Sequence, residues 1–172
     1  MNRTRRLAAL GGLLLALSGC ALNSRADETP AARPKPGTGL ADVDPCALLT
    51  DAELTSSGAS VPGYPNDNIS WEPGCDFDGD PFGYSVFKNQ EMSVAKYETQ
   101  AEWARYEHRE LQGRAAANAI GTGSTKARVC TTLFDAGGGV LIVTASELND
   151  GGRDRCAESW RLAELIAPRV PR

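Results

Sequence analysis

The chain is poor in the residues that usually announce chemistry. Its single histidine, His108, has no second histidine to form a metal or triad constellation, and no cysteine pair has Cys-x-x-Cys spacing, so zinc and thioredoxin-like motifs are excluded. No Gly-x-Ser-x-Gly segment occurs, which removes the hydrolase nucleophile elbow. The glycine-rich run at 121–126 puts Lys126 where a dinucleotide fingerprint needs its last glycine and lacks P-loop spacing; it reads as a connector. Basic residues are outnumbered, with Lys+Arg 18 against Asp+Glu 22, and the net charge of -4 argues against a nucleic-acid partner held by phosphate neutralisation. No apolar run approaches the roughly 20 residues of a spanning helix. What is present is ordinary: 41% hydrophobic and 23% charged residues over 172 positions predict one globular domain with a real core, not a disordered or fibrous chain.

The amino terminus carries an address. Arg3, Arg5 and Arg6 precede an apolar run at 7–17, which ends in Leu17-Ser18-Gly19-Cys20. A positive region, a short apolar core and small residues ahead of a cysteine resemble the signal of bacterial lipoproteins. The resemblance implies cleavage after residue 19 and a diacylglyceryl thioether on Cys20. Residues 1–19 are then a signal peptide, and the expected location is the extracytoplasmic side of the cell membrane, held by lipid rather than by a spanning segment. Cleavage removes three arginines and no acid, leaving the mature chain more acidic still.

From 20 to 40 the chain is Pro, Gly, Ala and charge, with Leu22 the only large apolar residue before Leu40. Too little can be buried there to offset ordering entropy, so a flexible tether is expected, with the folded domain at 41–172. Four cysteines lie in that domain: Cys46, Cys75, Cys130 and Cys156. An even set in an exported chain predicts two disulfides. Three connectivities are possible; Cys46–Cys156 with Cys75–Cys130 is preferred, joining the starts of two helices and a pair of strands.

Within the domain, Pro45 opens a helical turn, and Thr50 with Glu53 has capping-box spacing ahead of a short helix that stops at Gly58. Residues 58–74, rich in Pro and Gly, predict a loop. Strands are expected at 75–78 and 82–88 around a turn at Asp78-Gly79-Asp80-Pro81, and at 127–135 and 140–146 around Gly137-Gly138-Gly139. Tyr97, Ala101, Ala104, His108 and Leu111 recur at steps of four and three, which predicts a helix over 94–113, followed by a connection at 113–125. A last helix should begin near Arg153 or Asp154 and end before Pro168. The expected fold is α+β, a four- to five-stranded antiparallel sheet with helices packed on one face and two disulfides.

Candidate functional residues are few. On the inner stripe of a helix, His108 would be a hydrogen-bonded packing residue. Asp76, Asp78 and Asp80 resemble the start of a calcium loop, but Pro81 and Phe87 occupy positions that need Gly and Glu, so a hairpin turn is the better reading. With Glu72, the same acids are candidates for the paired carboxylates of a cell-envelope enzyme acting on glycans. Trp160 reads as core and Trp103 as partly exposed. Tyr64 and Trp71 in the long loop form the expected contact surface. No metal and no cofactor are expected.

The opening Asp44-Pro45-Cys46-Ala47-Leu48-Leu49-Thr50 with Glu53 and Leu54, then Cys75, Cys130 and Cys156-Ala157 leading to Leu162-Ala163-Glu164, resemble an actinobacterial lipoprotein family of unknown function. Phe77 fills the aromatic position two residues after the second cysteine, where Trp is the usual residue. The resemblance covers the mature domain and implies class and address, with no activity attached. The functional expectation is a non-enzymatic, membrane-anchored binding or interaction module whose partner is an envelope protein or a small ligand. The alternatives are a carboxylate-based envelope enzyme and a purely structural envelope component.

Overall fold

The computed structural model describes residues 38–123, 128–149 and 152–172. The signal at 1–19, Cys20, most of the expected tether and the connector at 124–127 lie outside the described residues.

A 3-10 turn at Pro45–Ala47 is capped by Asp44, whose carboxylate accepts from the Cys46 N–H at 2.9 Å. Helix α1, Asp51–Ser56, carries the predicted capping box, with Thr50 and Glu53 satisfying each other's backbone N–H groups. Seven strands follow: β1 Tyr64–Asn66, β2 Gly74–Phe77, β3 Phe82–Asn89, β4 Trp103–Leu111, β5 Arg114–Gly121, β6 Val129–Ala136 and β7 Gly139–Glu147. Helix α2, Val94–Gln100, lies between β3 and β4, and α3, Arg155–Ile166, follows β7. The seven strands form one antiparallel sheet in the order β1-β2-β3-β7-β6-β5-β4. The chain builds one half inward from edge strand β1 to β3, crosses through α2 to the far edge, and returns as a meander until β7 closes on β3.

Alternation along the strands sorts the core into two layers. Phe82, Tyr84, Val86, Phe134, Leu141 and Val143 face α1 and α3, packing on Leu54, Leu162 and Ile166. Ala117, Ala119, Leu133, Val140 and Ile142 face the other way, under Val94 and Tyr97 of α2. Leu40 is fully buried in the first layer, so the folded body takes in the end of the segment read as tether.

Three expectations are corrected. Four or five strands become seven, and the molecule is mainly β, with helices on both faces of the sheet. The helix over 94–113 ends at Gln100; the rest of that stretch is edge strand β4, and the expected connection at 113–125 contains β5. The disulfides are Cys46–Cys75 and Cys130–Cys156, not the preferred pairing. Each joins a helical turn to a strand: Cys46 in the 3-10 turn to β2, and Cys130 on β6 to the first turn of α3.

Two buried cations hold the irregular segments at 40–43 and 167–171. Lys88 Nζ donates to the carbonyls of Leu40, Ala41 and Val43 at 3.0, 2.8 and 2.6 Å. The Arg114 guanidinium donates to Ala167, Val170 and Pro171 at 3.0, 3.0 and 2.6 Å. Each cation replaces the water that irregular backbone would otherwise need.

Candidate functional site

The acids singled out as a calcium-like or catalytic cluster are dispersed into separate structural bonds. Asp76 accepts from Asn66 Nδ2 at 2.7 Å, Asp78 from the Tyr64 hydroxyl at 3.1 Å, and Asp80 from Asn149 Nδ2 at 2.9 Å. Among the described residues, no group of three or more His, Cys, Asp or Glu is placed to hold a metal ion. His108 is not a core residue. It sits on β4 with its side chain 62% exposed, bonded to Glu98 at 3.0 Å and edge-on to Tyr106.

The two aromatics of the expected contact surface are both exposed, Tyr64 at 48% and Trp71 at 68%, but they serve different places. Tyr64 lies on edge strand β1, where its bond to Asp78 makes it part of the β1–β2 ribbon; the same bond raises the phenol's pKa. Trp71 lines a cleft of about 360 Å³ together with Glu72, the end of β3 and α2.

That cleft contains an organised polar group. Tyr97, on the inward side of α2, donates its hydroxyl to the Glu72 carboxylate. Asn89, buried at the end of β3, donates from Nδ2 to Glu72 Oε2 at 3.2 Å and to Tyr97 Oη at 3.4 Å. The Asn89 amide is itself fixed, because its Oδ1 accepts the Glu91 N–H at 2.9 Å. Burial and the adjacent Glu72 carboxylate push the Tyr97 phenol well above its ordinary pKa, so it stays a donor. The result is a half-buried carboxylate held by two donors beside an exposed indole, with Met92 and Ala101 as apolar wall.

A second cleft, about 370 Å³, lies between β4 and α3. Arg109 stacks on Trp160 at 4.2 Å, and Arg105 Nη2 reaches Cys156 Sγ at 3.2 Å. Its three arginines are interleaved with Glu107, Asp154 and Glu164, so the charges there are matched within the protein.

Glu72 and Trp71 were both visible in the sequence, one as a possible acid and the other as a loop aromatic. Tyr97 was legible only as an apolar step of a helix, and Asn89 carried no signal at all. It matters because β3 ends beside the turn that leads into α2.

Fold and cleft together define a small, disulfide-stapled, β-rich domain with an open polar-aromatic site. Among the described residues no helix is long and apolar enough to cross a membrane. The chain belongs to DUF3558, a protein family of unknown function, whose model matches residues 15–169. No curated protein and no solved structure matches it.

Proposed function

We propose that this protein is a lipid-anchored, non-enzymatic binding module of the extracytoplasmic membrane face, and that its ligand enters the Trp71–Glu72–Tyr97 cleft. The address rests on the run 7–17 ending in Leu17-Ser18-Gly19-Cys20 and on two disulfides, which suit an oxidising compartment. The observation that carries the binding role is Trp71. Trp71, 68% exposed, lines a concave cleft beside a carboxylate oriented by Asn89 and Tyr97, the combination of aromatic surface and a few convergent polar groups by which small ligands are held.

Thermal-shift screening of the mature domain against a small-molecule library tests the reading, with Trp71→Ala and Tyr64→Ala screened in parallel. Both substitutions are at the surface; Trp71→Ala should change the stability of the unliganded domain by no more than about 0.5 kcal/mol, and Tyr64→Ala, which loses the bond to Asp78, by about 1 kcal/mol. At least one compound class should stabilise the wild type and Tyr64→Ala but not Trp71→Ala. Compounds that stabilise all three proteins equally, or none, would overturn the cleft as the binding site.

A further inference from the structure

Building on the binding role just proposed, we infer that the cleft takes an organic cation: a primary or quaternary ammonium group on a small molecule. Both ionisable carboxyl groups on its wall, Glu72 and Glu91, are acids, and no Lys, Arg or His lines it. Lys96, on the same helix as Tyr97, donates its ammonium to the Glu91 backbone carbonyl at 2.7 Å and is not part of the lining. An anionic ligand would therefore meet two carboxylates on the wall, while the neighbouring Lys96 ammonium is directed at the Glu91 carbonyl.

The pattern of donors and acceptors points the same way. The two best donors in the cleft, the Tyr97 hydroxyl and the Asn89 amide, are already committed to Glu72. Their bonds orient the carboxylate, and no protein donor among the described residues is assigned to Oε1. The Glu72 carboxylate therefore retains acceptor capacity for a ligand that brings donors or positive charge, and the further donors on the wall, the Gln100 amide and the Trp71 indole N–H, are neutral. Neutral sugars stack on indoles too, and Gln100 offers them a donor and an acceptor; what favours a cation over them is the pair of carboxylates on a wall lined by no basic residue.

The aromatic groups add a second attraction. An ammonium over an indole face interacts with the ring quadrupole, and Trp is the strongest partner of the common side chains for this contact. Trp71 and Tyr97 place aromatic surface on the cleft wall, and Met92 adds a soft, polarisable thioether. Carboxylate and ring faces in one cleft are the two elements by which a cation is held without a buried, unpaired charge.

The test uses the mature domain and an isosteric pair, choline and 3,3-dimethylbutanol, which share shape and differ in charge. Glucose and N-acetylglucosamine serve as the neutral-sugar arm, and methylamine as the primary ammonium. Indole N–H resonances, assigned through Trp71→Phe, report where each compound binds. Saturable shifts of the Trp71 resonance are expected with choline or methylamine. Affinity should fall at least tenfold for 3,3-dimethylbutanol and at least tenfold for choline binding to Glu72→Gln, a change that keeps an acceptor for Tyr97. Equal binding of the charged and neutral isosteres, or sugar binding unaffected in Glu72→Gln, would overturn the cation assignment while leaving a ligand-binding cleft. No shift of Trp71 with any probe would overturn the assignment too, and failure of the wider library screen alongside it would remove the binding role.

Discussion

Glu53 shows how a locally predictable residue acquires a long-range role. The capping box it forms with Thr50 is evident in four consecutive residues, but its second partner is Arg169 from the C-terminal segment. Arg169 grips both carboxylate oxygens at 2.8 and 2.6 Å and also reaches the Leu48 carbonyl. The Arg169 bonds, then those from Thr50, bring the Glu53 pKa down to about 2. Because the folded-state pKa lies below the unfolded one, the stabilisation is complete above the ordinary carboxyl range and fades as pH falls from about 4.5 toward 2. Glu53→Gln should therefore cost about 1 kcal/mol at pH 7, a discounted figure for a partly exposed pair. Urea unfolding at pH 7 and at pH 2.5 should show that gap closing; a pH-independent gap would count against the Arg169 contact. Lys88 and Arg114, by contrast, gave no local cue. Each is buried only because carbonyls more than 40 residues away along the chain converge on it, and a single sequence does not display such convergence.

At the scale of elements, misreadings came from strands whose composition imitates something else. The segment Trp103–Leu111 repeats apolar residues at helical steps, yet it is the edge strand, with Arg105, Glu107, His108, Arg109 and Glu110 on its exposed surfaces. Charge on an edge strand blocks further pairing, and it dilutes the two-residue alternation by which a strand is recognised. Its neighbour β5 contains Ala115, Ala116, Ala117 and Ala119, poor strand formers that read as a connection. Small side chains suit this position because α2 and α3 cover β5 from opposite faces. The hairpin at Gly137-Gly138, the α1 cap and the span of α3 were legible, since each rests on a local rule. The cysteine pairing was not, because it depends on which strand each helix crosses. Each disulfide closes a loop of similar length, with separations of 29 and 26 residues, and should contribute roughly 3 kcal/mol by restricting the unfolded chain. Non-reducing peptide mapping should recover the 46–75 and 130–156 pairs. Replacing either pair by Ala should lower stability by about that amount in denaturant titration, and a 46–156 cross-linked peptide would refute the arrangement.

For the molecule as a whole, the placement of the chain ends bears directly on anchoring. The Gly39 N–H donates to the Gly137 carbonyl at 3.3 Å, and the Gly137 N–H donates to Pro171 at 3.0 Å, so the first described residues and the C-terminal segment both dock on the β6–β7 turn. The same end of the sheet carries the cleft: Asn89 pairs with Val140, and a Cβ at Gly139 would strike both the Asn89 carbonyl and Leu40. Lys88 then fixes residues 40–43 against the body, so the chain enters the domain at a defined point near its site rather than on a loose end. The proposed membrane attachment runs through a lipid on Cys20. Cys20→Ser should accordingly move the protein from the membrane fraction to the soluble fraction of the envelope. Its melting temperature should not change, because the described core and both disulfides are built from residues 40–170. Fractionation with a melting curve on each form separates the outcomes. Release with an unchanged melt supports lipid anchoring, whereas continued membrane attachment of Cys20→Ser would mean that the domain binds the bilayer or a resident protein by its own surface.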